Sequence, residues 1–190
     1  MGILSGVSLL NYAYETMLRA FSMTEDSARV IRARRIMADR TGIHGMLGGQ
    51  SVDVENDGKP IDKATLDYIY EHKTSALLEA SMMPGAVLAG ADEEQTKLIG
   101  EAASAIGLAF QIQDDILEKN GYGELSWKME HNSHSDEKNN KVTYVTLFGI
   151  EEASAQVKKL SEKAVGILDR LNNKNEFLEA LVREMAERRK

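Results

Sequence analysis

The stretch FQIQDDILE, residues 110–118, decides the fold and raises the first question about function. It closes an apolar run with helical spacing and places Asp114, Asp115 and Glu118 at the end of that run. Residues four apart share one face of a helix, so Asp114 and Glu118 can converge, while Asp115 lies about 100° around the helix axis. The spacing therefore predicts a helix with two acids on one face and a third at its shoulder.

Two interpretations of these acids stay open from the pattern alone. Like charges at helical spacing repel each other, so a bound cation would relieve the repulsion. Mg²⁺ suits such ligands, because it usually takes one or two carboxylates together with substrate phosphates. The alternative is a solvated helix end, since helical acids mostly lie on the surface.

The composition predicts a helical protein in one domain. The chain has 190 residues, of which 43% are hydrophobic and 28% charged, and it contains only two prolines. Apolar residues recur at helical spacing almost throughout, and no long stretch alternates with a period of two. We therefore expect an all-α fold, a helical bundle that forms a single domain over residues 1–190.

Charge and cysteine content exclude several classes of protein. The formal net charge of −7 argues against a nucleic-acid-binding protein, which typically carries a basic patch. The absence of cysteine excludes disulfides and thiolate chemistry. No apolar stretch is long enough to span a membrane, and the N-terminus lacks the basic leader of a secretory signal. The default expectation is a cytoplasmic protein.

Capping residues and helix breakers predict the boundaries in the first half of the chain. Thr24 is expected to cap the second helix, and Gly42 to end it. The glycine-rich segment 45–60 then predicts a turn and a loop. Asp62 is expected to cap a third helix that kinks or ends at Pro84.

The second half contains one long polar stretch. Asp92 and Gln95 have the spacing of a capping box, which starts the long helix that carries FQIQDDILE. Residues 119–141 are polar and show no periodicity, so they predict a long loop, which is usually functional or disordered in a compact domain. Two further helices are expected over about 150–171 and 175–188, and the final ERRK is interpreted as a basic helix C-terminus.

Other candidate site residues each have a plain alternative. Lys73 and Thr74 could bind a phosphate or lie on an exposed helix face. The glycines of GGQ, residues 48–50, permit close backbone approach but also suit an ordinary loop. Acids and lysines in the late loop fit a metal–diphosphate site or a solvated loop. A zinc site at His131 and His134 is disfavoured, because no cysteine or third histidine lies nearby.

Several motifs together resemble the trans-isoprenyl diphosphate synthases of the farnesyl or geranylgeranyl diphosphate synthase type. FQIQDDILE and the later SDEKNNKVTYVTLFG, residues 135–149, resemble the second aspartate-rich region of that family and its downstream segment. LLNYAYE (9–15), GGQSVDV (48–54) and HKTSALLEAS (72–81) resemble three upstream family segments in the same order. The resemblance implies an isoprenoid synthase-type helical bundle that is usually a homodimer.

The resemblance also implies an activity and a set of site residues. The activity is the condensation of isopentenyl diphosphate with an allylic diphosphate, in which Mg²⁺ ions hold the diphosphate and protein groups position it. By matched position, the metal ligands would be Asp114, Asp115 and Glu118. The implied catalytic residues are Lys73, Thr74, Gln111 and Lys128, and the implied substrate-binding residues are Gln50, Lys73, Gln111, Lys128, Asp136 and Lys141.

The chain departs from the family pattern at four positions. Glu118 stands where the family has its third aspartate. Trp127 and His134 replace small residues beside Lys128 and Ser135, and Val7 replaces a usual aspartate. A side chain one methylene longer at position 118 can still reach a metal, either directly or through water.

The first aspartate-rich motif of the family, DDxxD, would lie before residue 1. We therefore expect a C-terminal fragment or a product of internal initiation, incomplete at the N-terminus and weak or inactive alone. The alternative is a non-catalytic helical partner subunit of a full-length synthase. A terpene cyclase shares the fold, but GGQ, Lys73-Thr74 and SDEKNNK together favour the synthase.

Overall fold

Helices account for nearly all of the chain that the computed structural model describes, which is residues 1–119, 142–171 and 175–188, and no strand occurs in these ranges. The all-α prediction is confirmed. The elements are α1 (Gly2–Leu18) with a 3₁₀ turn at Arg19–Ser22, α2 (Ser27–Thr41), α3 (Met46–Glu55), α4 (Lys63–Tyr70), a π-helical segment (Glu71–Ser75), α5 (Ala76–Leu88), α6 (Glu93–Lys119), α7 (Tyr144–Leu168) and α8 (Glu176–Glu187).

Helix α6 lies at the centre of the fold. It packs against α7 on one side and against α5 and the π-helical segment on another, and α8 also contacts it. One apolar cluster joins Leu66 of α4, Ile112 of α6, Val157 of α7 and Val182 of α8, each at most 4% exposed. Burying such side chains contributes about 1.5–3 kcal/mol each, so this cluster fixes the face of α6 that turns inward.

Three predicted boundaries are confirmed by their hydrogen bonds. Asp62 caps α4, because its Oδ1 accepts a hydrogen bond from the backbone N–H of Thr65 at 2.8 Å. Asp92 and Gln95 form the predicted capping box, with reciprocal bonds from the Asp92 N–H at 3.1 Å and the Gln95 N–H at 2.8 Å. Gly42 follows directly after α2. Each of these features depends on residues a few positions apart.

Two predicted boundaries in the first half of the chain are wrong. Asp26, and not Thr24, caps α2, since its Oδ1 accepts from the Arg29 N–H at 3.0 Å, while the Thr24 hydroxyl accepts from the Asp26 N–H at 3.1 Å. The segment 45–60 is not all loop, because α3 (Met46–Glu55) runs through GGQ.

One further boundary was misplaced, at Pro84, and another agrees with a break in the helical backbone. Pro84 lies buried inside α5, which continues to Leu88 because its packing against α2 and α6 offsets the roughly 3 kcal/mol cost of an interior proline. Helix α7 begins at Tyr144, with Thr143 and Thr146 forming its capping box, but its backbone is helical without interruption only from Ile150, near the predicted start. Gly149 interrupts its helical backbone at φ 84°, a conformation that glycine adopts readily.

One ion pair between α2 and α5 carries a testable pH dependence. Arg40 Nε lies 2.9 Å from Glu79 Oε2, and the Glu79 side chain is only 12% exposed. Burial raises the pKa of Glu79, and the positive charge of Arg40 opposes that rise. The folded state therefore holds the Glu79 proton more tightly than the unfolded state, whose pKa is near 4.5. Glu79 therefore contributes its full stabilisation of the folded state when the pH is below about 4.5. This stabilisation is lost as the pH rises through the pKa of Glu79 in the folded state.

We predict that Glu79→Gln stays within about 1 kcal/mol of the parent at neutral pH, because the cost of burying the carboxylate and its attraction to Arg40 oppose each other. As the pH falls toward 4, the parent should gain stability relative to Glu79→Gln. Urea unfolding of both proteins across this range measures the difference. Glu151→Gln, an exposed acid of α7, is the control. A parent that keeps or loses stability relative to Glu79→Gln as the pH falls would contradict the burial argument.

Candidate functional site

Lys73 and Thr74 lie in the π-helical segment Glu71–Ser75, which joins α4 to α5 without a break in the helical rod. The flanking residues Tyr70 and Ala76 both keep right-handed helical backbone angles. A π-turn widens the helix by one residue, and such turns occur frequently at functional sites. Lys73 and Thr74, the two phosphate-binding candidates from the sequence, therefore lie in a π-turn that interrupts the regular α-helical hydrogen bonding.

Two glycines bring neighbouring helices into backbone contact with this segment. A Cβ on Gly49 of α3 would lie 2.4 Å from the backbone nitrogen of Lys73. A Cβ on Gly107 of α6 would lie 2.5 Å from Ser75 Cα. Both positions therefore require glycine, and the π-helical segment is held between α3 and α6. The close-approach interpretation of GGQ is the one that the structure supports.

Two side-chain contacts complete this arrangement. Lys73 Nζ lies 2.5 Å from Asp53 Oδ2, with the lysine side chain 33% exposed and the aspartate 13%. The Thr74 hydroxyl donates to Gln111 Oε1 at 2.9 Å. Three of the predicted site residues, Lys73, Thr74 and Gln111, are thus brought together, and half-buried Gln50 directly follows Gly49 on α3.

Asp53 was not among the predicted site residues. Its signal in the sequence is its spacing of four from Gly49, which places both on one face of α3. The carboxylate accepts from the Lys73 ammonium, so it fixes the direction of the one lysine in the described part of the predicted site.

Asp114 faces the C-terminal end of α8. Its Oδ1 accepts a hydrogen bond from the Arg188 guanidinium, which also lies 4.1 Å from the centre of the Phe110 ring. Gln113 Nε2 donates to the backbone oxygen of Arg188 at 2.9 Å. Burial raises the pKa of Asp114, the Arg188 charge opposes this, and the negative charge of Glu118 raises it further. The position in front of Asp114 therefore accommodates a cation.

Arg188 was also missed as a site residue, because the sequence placed it in a simple basic helix end. It lies 74 residues from Asp114 along the chain, so no local pattern connects the two.

The Asp115 side chain, unlike that of Asp114, is buried in the core. It is 6% exposed, and its Oδ2 accepts from the Tyr70 hydroxyl at 2.5 Å and from the Tyr144 backbone N–H at 3.1 Å. Asp114 and Asp115 thus have different surroundings, one at the surface and one in the core. In residues 1–119, 142–171 and 175–188, no group of three or more histidine and acidic side chains is placed to hold a metal. The metal roles of Asp114, Asp115 and Glu118 stay predictions.

The remaining predicted residues fall in the late polar stretch. Lys128, Asp136 and Lys141, together with the departures Trp127 and His134, lie outside the described residues. In the described part of the chain, no helix is both long and apolar enough to cross a membrane.

Comparisons with known proteins identify the family of the chain. The polyprenyl synthetase family model matches residues 1–185. A farnesyl diphosphate synthase from Geobacillus stearothermophilus is 38% identical over 162 residues, covering 83% of this chain and 52% of the relative. The chain thus spans about half the length of that relative.

Solved structures show the same fold. An FPP/GFPP synthase from Zymomonas mobilis superposes with a TM-score of 0.79 at 25% identity, over 96% of this chain and 60% of that one. A geranyltransferase from Helicobacter pylori, solved in complex with magnesium and isoprenyl diphosphate, gives a TM-score of 0.71 at 26% identity, over 96% of this chain and 58% of that one. The match to the family model over nearly the whole chain, on an all-α fold shared with these synthases, shows that the chain belongs to the polyprenyl synthetase family.

Proposed function

We propose that this chain forms one wall of a prenyltransferase site, which condenses isopentenyl diphosphate with an allylic diphosphate. The observation that carries the proposal is the clamped π-helical segment, which presents Lys73 and Thr74 beside Gln111 of α6. Gln111, Asp114 and Glu118 follow at spacings of three and four on the same helix, so they share one stripe of its surface. A cation, a hydroxyl and acids thus border one region, as a metal–diphosphate site requires.

Mg²⁺ is the cofactor that we propose for this wall, with Asp114 and Glu118 as its ligands. Their carboxylates offer the hard oxygen atoms that Mg²⁺ prefers, and the Arg188 guanidinium at Asp114 indicates that a positive group fits there. The Helicobacter pylori geranyltransferase was solved with magnesium and isoprenyl diphosphate, which supports Mg²⁺ as the cofactor. When bound, the metal would neutralise charge on the diphosphate leaving group.

The protein groups have separate tasks in this proposal. Lys73, which is one-third exposed and directed by Asp53, donates to diphosphate oxygens. Thr74 and Gln111 keep the π-helical segment in register with α6. Gln50, Lys128, Asp136 and Lys141 remain predicted substrate-binding residues, and the cytoplasmic location also stays a prediction.

A prenyl-transfer assay tests this function, and product formation would reject its alternative, a non-catalytic partner subunit. The purified chain is incubated with Mg²⁺, labelled isopentenyl diphosphate and geranyl diphosphate, and the products are resolved by chain length. A product longer by one isoprene unit shows catalysis by the chain itself. Diphosphate binding without product supports the proposed site and is expected both of one wall acting alone and of a non-catalytic partner subunit. The absence of both binding and product rejects the proposed site.

We further propose that the chain forms a homodimer through α1. No residue of α1 is buried, and Ile3 and Val7, on one face of this helix, are 85% and 61% exposed. An apolar helix face of this kind typically marks an interaction surface. A second copy is the occupant that we favour, because members of the family that the chain resembles usually pair with themselves.

Ile3→Glu combined with Val7→Glu is expected to convert the dimer to a monomer, since burying two charges in an apolar interface is costly. Sedimentation velocity measures the change. Ser5→Glu with Thr16→Glu adds the same charge to exposed positions on the opposite face of α1, so this control should leave the dimer intact. A monomeric parent protein, or equal behaviour of both variants, would contradict the proposed interface.

A further inference from the structure

One buried carboxylate connects three elements around the proposed site. Asp115 of α6 accepts from the hydroxyl of Tyr70, the last residue of α4, and from the backbone N–H of Tyr144, the first residue of α7. All three residues are at most 7% exposed. Hydrogen bonds to an ionised acceptor are stronger than neutral ones, and a low-dielectric interior strengthens them further.

The contacts of α6 with the rod formed by residues 63–88 have a regular order. Asp115 meets Tyr70, and Gln111, four residues earlier, meets Thr74, four residues later. Farther along the same antiparallel interface, the Ser75 hydroxyl donates to the Ser104 carbonyl at 3.0 Å. The hydrogen bond between Tyr70 and Asp115 therefore lies at one end of a series of three hydrogen bonds. Together these bonds set the position of the π-helical segment along the axis of α6.

We propose that Asp115 is a positioning residue and not a metal ligand: it holds Tyr70 and the first turn of α7, and thereby keeps Lys73 and Thr74 in place. The inference rests on the proposed diphosphate site for its functional consequence. The hydrogen bonds on which it is built are independent of that function.

The surroundings of the carboxylate argue against a metal at the same oxygen. A cation at Oδ2 would have to displace the Tyr70 hydroxyl and the Tyr144 N–H from an acceptor that they share in the core. Buried donors that lose an acceptor destabilise the fold. Asp114, the preceding residue, is 42% exposed, so water can replace the Arg188 contact that a metal would displace there.

Tyr70→Phe is the variant that distinguishes positioning from metal binding, because it removes only the hydroxyl that Asp115 holds. Tyr68→Phe, on the same helix and 38% exposed, is the matched control. Asp115→Asn and the double variant complete a cycle. Affinity for inorganic pyrophosphate in the presence of Mg²⁺ is measured by calorimetry, and backbone hydrogen exchange is measured in the absence of ligand.

We expect Tyr70→Phe and Asp115→Asn each to weaken pyrophosphate binding by roughly tenfold, the effect of one lost hydrogen bond to a charged group. The double variant should be little worse than Asp115→Asn, since the two groups act through one contact. Exchange should become faster at residues 70–75 in both variants and at the Tyr144 amide in Asp115→Asn. Tyr68→Phe should change neither readout.

Three outcomes would overturn the inference. Unchanged pyrophosphate affinity in Tyr70→Phe with a large loss in Asp115→Asn would identify Asp115 as a metal ligand. Unchanged affinity in both variants, with lower overall stability alone, would leave Asp115 as a core residue without a positioning role. If the parent chain binds no pyrophosphate, the proposed function fails. Backbone hydrogen exchange at residues 70–75 and at Tyr144 then decides whether Asp115 positions the π-helical segment. Unchanged hydrogen exchange in the variants, both at residues 70–75 and at Tyr144, would reject the positioning role of Asp115.

Discussion

Gly49→Ala is expected to destabilise the folded chain by about 3 kcal/mol or more, a large share of the roughly 5–15 kcal/mol that stabilises a typical domain. The added Cβ would lie 2.4 Å from the backbone nitrogen of Lys73 and 2.7 Å from the carbonyl carbon of His72. Both are backbone atoms, so no side-chain rotation can relieve the overlap. The helices α3 and α4–α5 would have to separate, which would also lengthen the contact between Lys73 and Asp53.

Gly166→Ala is the matched control for this prediction. Gly166 lies inside α7, and a Cβ built there has no heavy atom within 4 Å. Alanine at such an open helical position should stabilise the chain by about 0.5–1 kcal/mol. Urea unfolding followed by the helical circular dichroism signal compares the variants. Equal unfolding midpoints for the two would contradict the close backbone contact at Gly49.

Lys73→Met is expected to weaken the binding of Mg²⁺ with inorganic pyrophosphate by roughly 10- to 150-fold, the range for a hydrogen bond between charged groups. Methionine keeps the apolar stem of the side chain and removes the ammonium, so the π-helical segment should keep its packing against α3. Calorimetric titration measures the affinity, and circular dichroism confirms that the variant is folded.

Lys63→Met controls for the loss of one positive charge. Lys63 lies on the same helical rod, ten residues earlier, which places it about 15 Å from Lys73. It is paired with Asp67 on the exposed side of α4. Its replacement should change pyrophosphate affinity by less than about twofold, because solvent and salt screen a charge at that distance. Equal losses in both variants would show that Lys73 acts only through net charge.

The sequence predicted the features of this fold that depend on nearby residues. Helical periodicity and the caps at Asp62 and Asp92 involve contacts within three or four positions, so the pattern of residue types determines them. The resemblance to the synthases likewise rested on short motifs such as GGQ and FQIQDDILE.

The features that it missed depend on residues far apart in the chain. GGQ suggests a loop because glycine weakens a helix, but contact with Lys73, 24 residues later, favours the helical form. Helical periodicity predicts that Asp114 and Asp115 lie about 100° apart around the axis of α6, but it does not show which side chain faces the core. That choice depends on Tyr70 and Tyr144, which are 45 and 29 residues from Asp115.

The central claim is that α6 and the π-helical segment together bind a magnesium–diphosphate group, and titration of the parent chain with inorganic pyrophosphate tests it most directly. We expect saturable binding when Mg²⁺ is present, with loss of that binding when the metal is chelated. Asp114→Asn should weaken the magnesium-dependent binding, because it removes a proposed ligand without changing the shape of the side chain. Absence of binding with Mg²⁺, or the same affinity with and without it, would contradict the claim.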